Sequence, residues 1–402
     1  MNYDVTRVRS HFPSLDTGIA YFDGPGGSQV PDAVGEAIAA AITKPISNRG
    51  LITDSEKNAE EIVQGFRSAV ADLIDVDPQG VVYGRSWTQL TYDFSRTISQ
   101  GWAPGDEVVV TRLDHDSNIR PWIQAAERAG AVVRWAEFDR STGELPVSAI
   151  ESVLSEKTRL VAVTGAGNTL GTRPDLTAIA EAVHQYPALF YVDGVHLTPH
   201  APISVKEIGA DFYGFSFYKL MGPHCSALAA SPDLLRTLSN DKLLPSTNEV
   251  PERFEFGTLP YELMAGATAA IEFIAELAPG DAQDRRSKIV QSMTALEKYE
   301  EGLFHYMESS IRDLWPNITL YGHAPVRTPT LYFSLGDIAN LDVYHHLATK
   351  KVNAPASNFY ALEVSRALGL GDIGAVRAGL APYSTKEDID RLVAGLKELI
   401  TT

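Results

Sequence analysis

The chain has 402 residues, 44% of them hydrophobic, so it can bury a substantial core in one large or two ordinary domains. Its 34 basic and 51 acidic residues give a formal net charge of −17, which argues against a nucleic-acid or anionic-membrane surface. One cysteine excludes an intrachain disulfide and any multi-cysteine metal site. Because the first residues lack a secretion-signal pattern and no apolar stretch is long enough to cross a membrane, we expect a cytoplasmic protein.

The first part of the chain has a glycine-rich turn and two helices, after which strands and helices alternate. The turn covers 22–28, and the helices are predicted over 31–42 and 55–74. Strands are then predicted at 80–83, 107–113, 132–137, 160–164, 189–192, 212–217 and 227–230, and helices at 87–100, 119–129, 147–154 and 176–185. This alternation predicts an α/β fold with a mostly parallel central sheet that is covered on both faces.

The pattern changes near residue 280. A long helix is predicted over 285–310, followed by strands at 318–321 and 330–334 and helices at 343–349 and 386–399. We therefore expect three parts: an N-terminal arm (1–20) that packs on the small domain, a large domain (21–279), and a smaller C-terminal α+β domain (280–402).

Two strand ends carry the most informative pair of residues. An apolar strand ends at Asp193. The next strand is rich in aromatic residues, contains Ser216 and is followed by Lys219, and Lys219 lies 26 positions after Asp193. A lysine amine can form a Schiff base with pyridoxal phosphate, and a carboxylate one strand away can keep the pyridine nitrogen protonated. The arrangement therefore predicts an enzyme that uses this cofactor.

Other polar residues follow neighbouring strands. Ligands of an open α/β sheet bind beyond the carboxyl ends of its strands. Ser86 and Trp87 begin a helix whose free N–H groups suit a phosphate, whereas His115, Asn168 and His196 follow three further strands. These residues predict a single ligand site at one edge of the sheet.

Each residue also has an ordinary structural explanation. Lys219 alone could be a surface lysine, Asp193 a helix cap, and His115 or His196 a loop histidine. His196 and His200 have the spacing of a metal pair on a helix, but Pro199 disfavours that helix. The ordered series of strand-end Ser, His, Asn, Asp and Lys nevertheless favours the cofactor site over coincidence, and we expect no metal.

Taken together, these motifs resemble the fold-type I, class V aminotransferases and, within them, the cysteine desulfurase-like proteins. The segments that carry the resemblance are 21–27, 113–122, 192–196, 211–223, 253–258 and 376–383. The resemblance covers nearly the whole chain. It implies the fold of the fold-type I transferases that bind pyridoxal 5′-phosphate, with a mostly parallel central sheet and a smaller C-terminal α+β domain.

The resemblance also implies a role for each residue. Lys219 would bind the cofactor and move the substrate α-proton, Asp193 would pair with the pyridinium nitrogen, and His115 would stack on the ring. The remaining implied cofactor contacts are Asn168 and His196 at the phenolic oxygen, Ser86, Trp87, Ser216 and Tyr218 at the phosphate, and Gly257 and Thr258 at the phosphate of the neighbouring subunit of a homodimer. Arg377, together with Asn168, would bind the substrate carboxylate, and the small apolar neighbours of Arg377 also leave it without a partner in sequence.

The sequence departs from a desulfurase at one decisive position. A desulfurase needs a cysteine on a mobile loop ahead of the carboxylate-binding arginine, where the thiolate attacks the substrate sulfur. The corresponding stretch, 351–360, contains no cysteine. We interpret Cys225, the one cysteine of the chain, as a small buried residue, which disfavours a persulfide-forming desulfurase.

We therefore expect a transferase that acts on a small amino acid, in the first place an aminotransferase. The alternatives are a lyase that eliminates from cysteine- or selenocysteine-type substrates and an epimerase, because both begin with the same proton abstraction. A further alternative is a cofactor-binding scaffold without catalysis. The presence of Lys219 together with Arg377 argues against that scaffold.

Overall fold

The computed structural model describes residues 3–314 and 316–401, so the first two residues of the predicted arm and the last residue of the chain lie outside it. The helices are α1 Val5–Arg9, α2 Asp32–Thr43, α3 Asp54–Ile74, α4 Trp87–Ile98, α5 Arg120–Ala129, α6 Val147–Glu151, α7 Leu176–Val183, α8 Val205–Ile208, α9 Pro232–Thr237, α10 Tyr261–Ala275, α11 Arg285–Arg312, α12 Asn340–Thr349, α13 Leu362–Ala367 and α14 Lys386–Thr401. The strands are β1 Ala20–Tyr21, β2 Val81–Gly84, β3 Glu107–Thr111, β4 Val132–Ala136, β5 Thr158–Thr164, β6 Leu189–Asp193, β7 Phe212–Ser216, β8 Ser226–Ala230, β9 Ile318–Tyr321, β10 Thr330–Leu335, β11 Val352–Asn353, β12 Ala356–Ser357 and β13 Ala375–Gly379.

The largest sheet has seven strands in the order β2-β8-β7-β6-β5-β3-β4. The pairs from β7 through β6, β5 and β3 to β4 are parallel, whereas β8 runs antiparallel to both β2 and β7. Parallel strands need long crossovers, and the intervening helices supply them. The predicted α/β fold with a mostly parallel central sheet is confirmed.

Both faces of this sheet are buried along its inner strands, which explains why these strands are largely apolar, whereas the edge strand β4 is partly exposed. Along β6, Phe190 and Val192 belong to one buried cluster, which α3, α7 and α10 complete. Tyr191 points to the opposite face, where it joins a second cluster built with α4 and α5. Because side chains alternate along a strand, a sheet covered on both sides needs apolar residues at every position.

A second sheet contains the C-terminal strands in the order β12-β13-β10-β9, all antiparallel. A third cluster of buried side chains joins this sheet to α11, α12 and α14. Ala20 and Phe22 from the N-terminal segment belong to the same cluster, and β1 pairs with β11 in parallel. The sheet therefore fixes β13, the strand that carries Arg377, next to the N-terminal turn.

The sequence-based boundaries differ from the structure mainly where short elements are held by tertiary contacts. The helix expected over 147–154 ends at Glu151, and β13, whose residues are small and weakly patterned, was not predicted as a strand. Over the ranges 3–314 and 316–401, no helix combines the length and apolar character that crossing a membrane would require.

Candidate active site

The carboxyl ends of the parallel strands surround one cavity. Its lining contains nine of the residues expected from the sequence: Ser86, Trp87, His115, Asn168, Asp193, His196, Ser216, Tyr218 and Lys219. An adjoining cavity of about 590 Å³ shares several of these walls and adds Arg377. The polar residues that follow the strands of this sheet, from Ser86 to Lys219, therefore meet at one edge of it, whereas Arg377 comes from the second sheet.

Asp193 is the buried anion of the site. Its Oδ2 accepts a hydrogen bond of 2.7 Å from the Trp87 indole, and its Oδ1 accepts one of 2.9 Å from the Val195 amide. Gly214 makes the first contact possible, because a Cβ at that position would lie 1.9 Å from the Trp87 ring. Burial raises the pKa of Asp193 above its ordinary value, whereas the Val195 amide, the charge of Lys219 and the Trp87 indole favour the carboxylate.

Lys219 ends the short helical turn that follows β7 and faces the same cavity. Burial lowers the pKa of its ammonium group, and the positive charge of Arg377 lowers it further, whereas Asp193 acts in the opposite direction. A lysine with a lowered pKa is more often neutral, and only the neutral amine can attack a carbonyl or accept a proton.

His115 is held in one tautomer by its own loop. Its Nδ1 accepts a hydrogen bond of 3.0 Å from the Ser117 amide, so the proton of the neutral ring lies on Nε2. Burial, followed by the charges of Lys219 and Arg377, lowers the pKa of His115 to about 3. The ring is therefore neutral at physiological pH and can lie against an aromatic ligand without adding positive charge.

His196 belongs to a chain of buried polar groups. Its Nε2 contacts the hydroxyl groups of Thr330 at 3.1 Å and Thr328 at 3.0 Å. Its ring meets the ring of His200 edge-on at 5.4 Å, and His200 Nδ1 contacts Glu300 Oε2 at 2.8 Å. The pair spaced four apart thus binds protein hydroxyl and carboxylate groups, and no cluster of three or more metal-ligating side chains occurs in the part of the chain that the structure describes.

The residues expected at a phosphate lie at the beginning of α4 and at the end of β7. Ser86 caps α4, and its Oγ accepts a hydrogen bond of 3.1 Å from the Gln89 amide. Ser216 Oγ lies 2.9 Å from Ser226 Oγ, and the Tyr218 ring stacks on His224. Free N–H groups at a helix N-terminus favour an anion, which fits a phosphate at this end of the cavity.

Gly257 and Thr258 are not brought into this cavity by their own chain. Thr258 instead lines a separate cavity that also contains Arg85 and Phe256. Gly257 has φ of +82°, a value that a residue with a side chain rarely adopts.

Arg377 lies in the middle of β13 and is buried. Its Nη1 donates to the Asn168 carbonyl oxygen at 3.0 Å, whereas its Nε is buried without a hydrogen bond. No carboxylate of the described residues forms an ion pair with it, although Asp23 lies close enough to influence its charge. Burial lowers the pKa of Arg377 to about 9, so an anionic ligand would relieve an unfavourable charge.

Sequence reasoning did not single out Phe359 and Tyr360, which the structure places in the outer cavity. The Phe359 ring covers the Arg377 guanidinium at 3.7 Å, and the Tyr360 ring lies 5.5 Å from the His115 ring. Both residues fall within the stretch where the sequence lacks the desulfurase cysteine. The missing cysteine in 351–360 was the one indication in the sequence that other side chains occupy this part of the site.

Cys225 lies apart from these groups. It is buried just before β8, its carbonyl oxygen accepts a hydrogen bond from the Phe217 amide, and burial raises the pKa of its thiol. It is absent from the lining of both site cavities.

A buried carboxylate beside a lysine and a helix N-terminus defines the class of α/β enzymes that bind pyridoxal phosphate. The residues that line the cavity fit the cofactor, because Lys219 can form a Schiff base, Asp193 suits a ring nitrogen, and the beginning of α4 suits a phosphate. The family model for aminotransferase class-V matches residues 20–392. The chain therefore belongs to the class V aminotransferase family, and it is an enzyme that depends on pyridoxal phosphate.

Three curated relatives match over nearly their full length. An uncharacterized protein of Mycobacterium tuberculosis is 35% identical, with 99% of this chain and 100% of the relative covered. The aminotransferase-like protein FGM3 of Gibberella zeae is 31% identical, with 99% of each chain covered. A cysteine desulfurase of Klebsiella pneumoniae is 29% identical, again with 99% of each chain covered. The relatives thus include proteins named for different reactions.

Solved structures show the same fold at lower identity. The cysteine desulfurase CsdA of Escherichia coli superposes with a TM-score of 0.87 at 23% identity and covers 100% of this chain and 99% of its own. A mutant of C-DES with glycine covalently linked to its pyridoxal phosphate superposes with a TM-score of 0.82 at 20% identity, with 96% and 98% covered. These similarities establish the fold of the fold-type I enzymes.

Proposed function

We propose that this protein is an aminotransferase that moves the amino group of an amino acid to a 2-oxo acid. The observation that carries the proposal is the absence of a usable thiol. Residues 351–360 contain no cysteine, and Cys225 is buried with a raised pKa. Persulfide formation requires an accessible thiolate, so a desulfurase reaction is disfavoured, whereas proton movement by Lys219, with which amino transfer begins, needs no thiol.

The roles that we propose follow from the contacts of each residue. Bound pyridoxal phosphate withdraws electrons from the α-carbon of an amino acid joined to it. Lys219 Nζ would be the group that accepts and returns the α-proton, and its lowered pKa makes the neutral amine available. Asp193, fixed by Trp87, would pair with the ring nitrogen, and the neutral His115 would contact the ring. One lysine serves both proton movements.

We further propose that the unpaired edge of Arg377 binds the substrate carboxylate, with Asn168 beside it. Nε is free of hydrogen bonds and Nη1 is held by the Asn168 carbonyl oxygen, which leaves the Nε side of the fork for two oxygens. His196 and Asn168 are the proposed contacts of the phenolic oxygen. Ser86, Trp87, Ser216 and Tyr218 are the proposed contacts of the phosphate.

A homodimer completes the proposal, with Gly257 and Thr258 at the phosphate of the neighbouring subunit. Thr258 lines a cavity of its own chain that is distinct from the cofactor cavity, which supports a role toward a partner. Light scattering of the cofactor-loaded protein should give the mass of two chains, whereas a loaded monomer at micromolar concentration would contradict the homodimer.

We also propose a cytoplasmic location, because a single unpaired cysteine suits a reducing compartment. The division into an arm, a large domain and a small domain beyond residue 280 is part of the same proposal.

The experiment that tests amino transfer is a two-stage absorbance measurement. An active amino acid, added alone, should shift the absorbance of the bound cofactor to that of its amine form. A 2-oxo acid added afterwards should restore the original spectrum, because it takes up the stored amino group. A lyase or an epimerase would return to the original spectrum without any 2-oxo acid, and that result would reject the proposal.

A further inference from the structure

The segment that replaces the desulfurase loop is strained and firmly held. Phe359 and Tyr360 have φ of +51° and +59°, a region that residues with side chains rarely adopt, and two in succession are rarer still. Strain of this kind persists only where surrounding contacts fix it. The Phe359 carbonyl oxygen accepts from Asn168 Nδ2 at 2.9 Å, and the Tyr360 carbonyl oxygen accepts from the Asp116 amide at 2.7 Å.

The strained backbone turns both rings toward groups of the site. The Arg377 guanidinium carbon lies over the Phe359 ring, 3.7 Å from the ring centre. An aromatic ring over the guanidinium forms no hydrogen bond with its N–H groups, and Nε remains buried and unpaired. Phe359 therefore fixes the plane in which Arg377 can receive a carboxylate.

Tyr360 occupies a different wall. It is 73% exposed, yet its ring lies 5.5 Å from His115, and it lines the outer cavity together with Tyr92. A side chain that extends from an amino acid held at Arg377 and Lys219 has this cavity of about 590 Å³ to enter. Asp116 and Arg120 also line this cavity and pair with each other, so its aromatic rings supply the apolar contacts, which favour a flat apolar group over one the size of a thiol.

We propose that Phe359 and Tyr360 determine the substrate class, with Phe359 positioning Arg377 for the carboxylate and Tyr360 selecting amino acids with an aromatic side chain. The inference rests on the proposed amino acid function and narrows it. The selected substrate is thus larger than the small amino acid that the sequence predicts.

The test is a titration of the cofactor-loaded protein with L-phenylalanine and with L-alanine, followed by the cofactor absorbance. The unaltered protein should bind phenylalanine at least about tenfold more tightly than alanine, a difference of ~1.4 kcal/mol. Tyr360→Ala should bring the ratio close to one, and Tyr360→Phe should retain it. Tyr344→Ala is the matched control, because Tyr344 also stacks on a histidine but lies on α12 outside the site.

A substitution of Phe359 should change amino acid binding in a different way. Phe359→Leu should weaken the binding of both amino acids about tenfold and leave their ratio unchanged, since it acts through the carboxylate. Phe304→Leu removes a ring that lies 4.9 Å from the Arg327 guanidinium outside the site, and it should change neither value. If Phe359→Leu does not fold, Phe359→Met tests the same loss of an aromatic face at similar volume. The absorbance before any ligand is added verifies that each variant holds the cofactor.

The possible outcomes distinguish a failure of the substrate-class inference from a failure of the proposed amino transfer. Equal binding of alanine and phenylalanine, or a ratio that survives Tyr360→Ala, would overturn the aromatic substrate class and leave amino transfer standing. An effect of Phe359→Leu no larger than that of Phe304→Leu would overturn the positioning role. Failure of every amino acid to alter the absorbance would overturn both this inference and the proposed function.

Discussion

The two sides of the active site differ in how completely their polar groups are satisfied. On the cofactor side, both oxygens of Asp193 accept hydrogen bonds, and Ser216 contacts Ser226. On the substrate side, Arg377 Nε, Asn168 Oδ1 and Asp23 Oδ1 are buried without any hydrogen bond. Buried polar groups are normally paired, so the unpaired Arg377 Nε, the one donor among these three atoms, indicates where a substrate carboxylate is expected, whereas the two oxygens can only accept.

The difference also concerns where the residues come from. The cofactor side is built from the ends of consecutive parallel strands, so its position follows from the fold itself. The substrate side is assembled from β13, the N-terminal turn and the strained pair at 359–360. We infer that the first side fixes the cofactor and that the second determines which reaction and which substrate the fold supports.

The largest effect is expected on the cofactor side, from Lys219→Ala. Without the amine, the cofactor has no covalent attachment, and turnover should fall by at least about 10³-fold because the proton carrier is lost. Borohydride reduction followed by peptide mass mapping should place the pyridoxyl group on Lys219 in the unaltered protein. Lys206→Ala, at an exposed lysine paired with Asp75, is the control, and finding the label on another lysine would contradict the assignment.

On the substrate side, Arg377→Lys should raise the KM of the active amino acid about 10- to 100-fold. The change keeps the charge but removes the two-pronged contact, which is worth ~1.5–3 kcal/mol for a charged hydrogen-bonding group. The cofactor absorbance without substrate should not change, because Arg377 contributes to the outer cavity. An unchanged KM for every active amino acid would remove Arg377 from substrate binding.

The neutral His115 predicts a pH dependence of stability. Its pKa is about 3 in the folded chain against an ordinary 6.5, so the unfolded chain binds a proton first as the pH falls. The stability contributed by the neutral ring is present above pH 6.5 and is lost progressively below it, by about 1 kcal/mol between pH 6.5 and 5.5. Urea unfolding of the cofactor-free protein should show this loss, and His115→Phe should reduce it by that amount. Equal pH dependence in both proteins would contradict the lowered pKa.

The smallest effect on activity is expected from Cys225→Ala. The thiol lies away from both sides of the site, so turnover should stay within about twofold, while the free energy of unfolding falls by ~1 kcal/mol for the lost buried atom. Activity and urea unfolding measured on the same preparation separate the two effects. A persulfide on Cys225 that disappears, together with activity, in the variant would restore the desulfurase interpretation.

The sequence predicted the cofactor side better than the substrate side, and the reason is physical. Asp193 and Lys219 follow strands whose apolar runs are visible in sequence, and parallel strands bring their ends together without further information. The stacking of Phe359 on Arg377 depends instead on two positive φ angles and on contacts between segments that are far apart in the chain. Likewise, the indole of Trp87 reaches Asp193 only because Gly214 leaves space for it. No local sequence pattern predicts this contact.

Amino transfer can be tested by following the nitrogen atom from substrate to product. The cofactor-loaded protein is incubated with ¹⁵N-labelled amino acids, cysteine included, and ¹³C-labelled pyruvate and 2-oxoglutarate, and the products are analysed by mass spectrometry. Amino transfer predicts new alanine or glutamate that carries both ¹⁵N and ¹³C, and Arg377→Lys should slow its formation. Release of ¹⁵N as ammonia, or formation of sulfide and ¹⁵N-alanine without ¹³C from cysteine, would contradict the account.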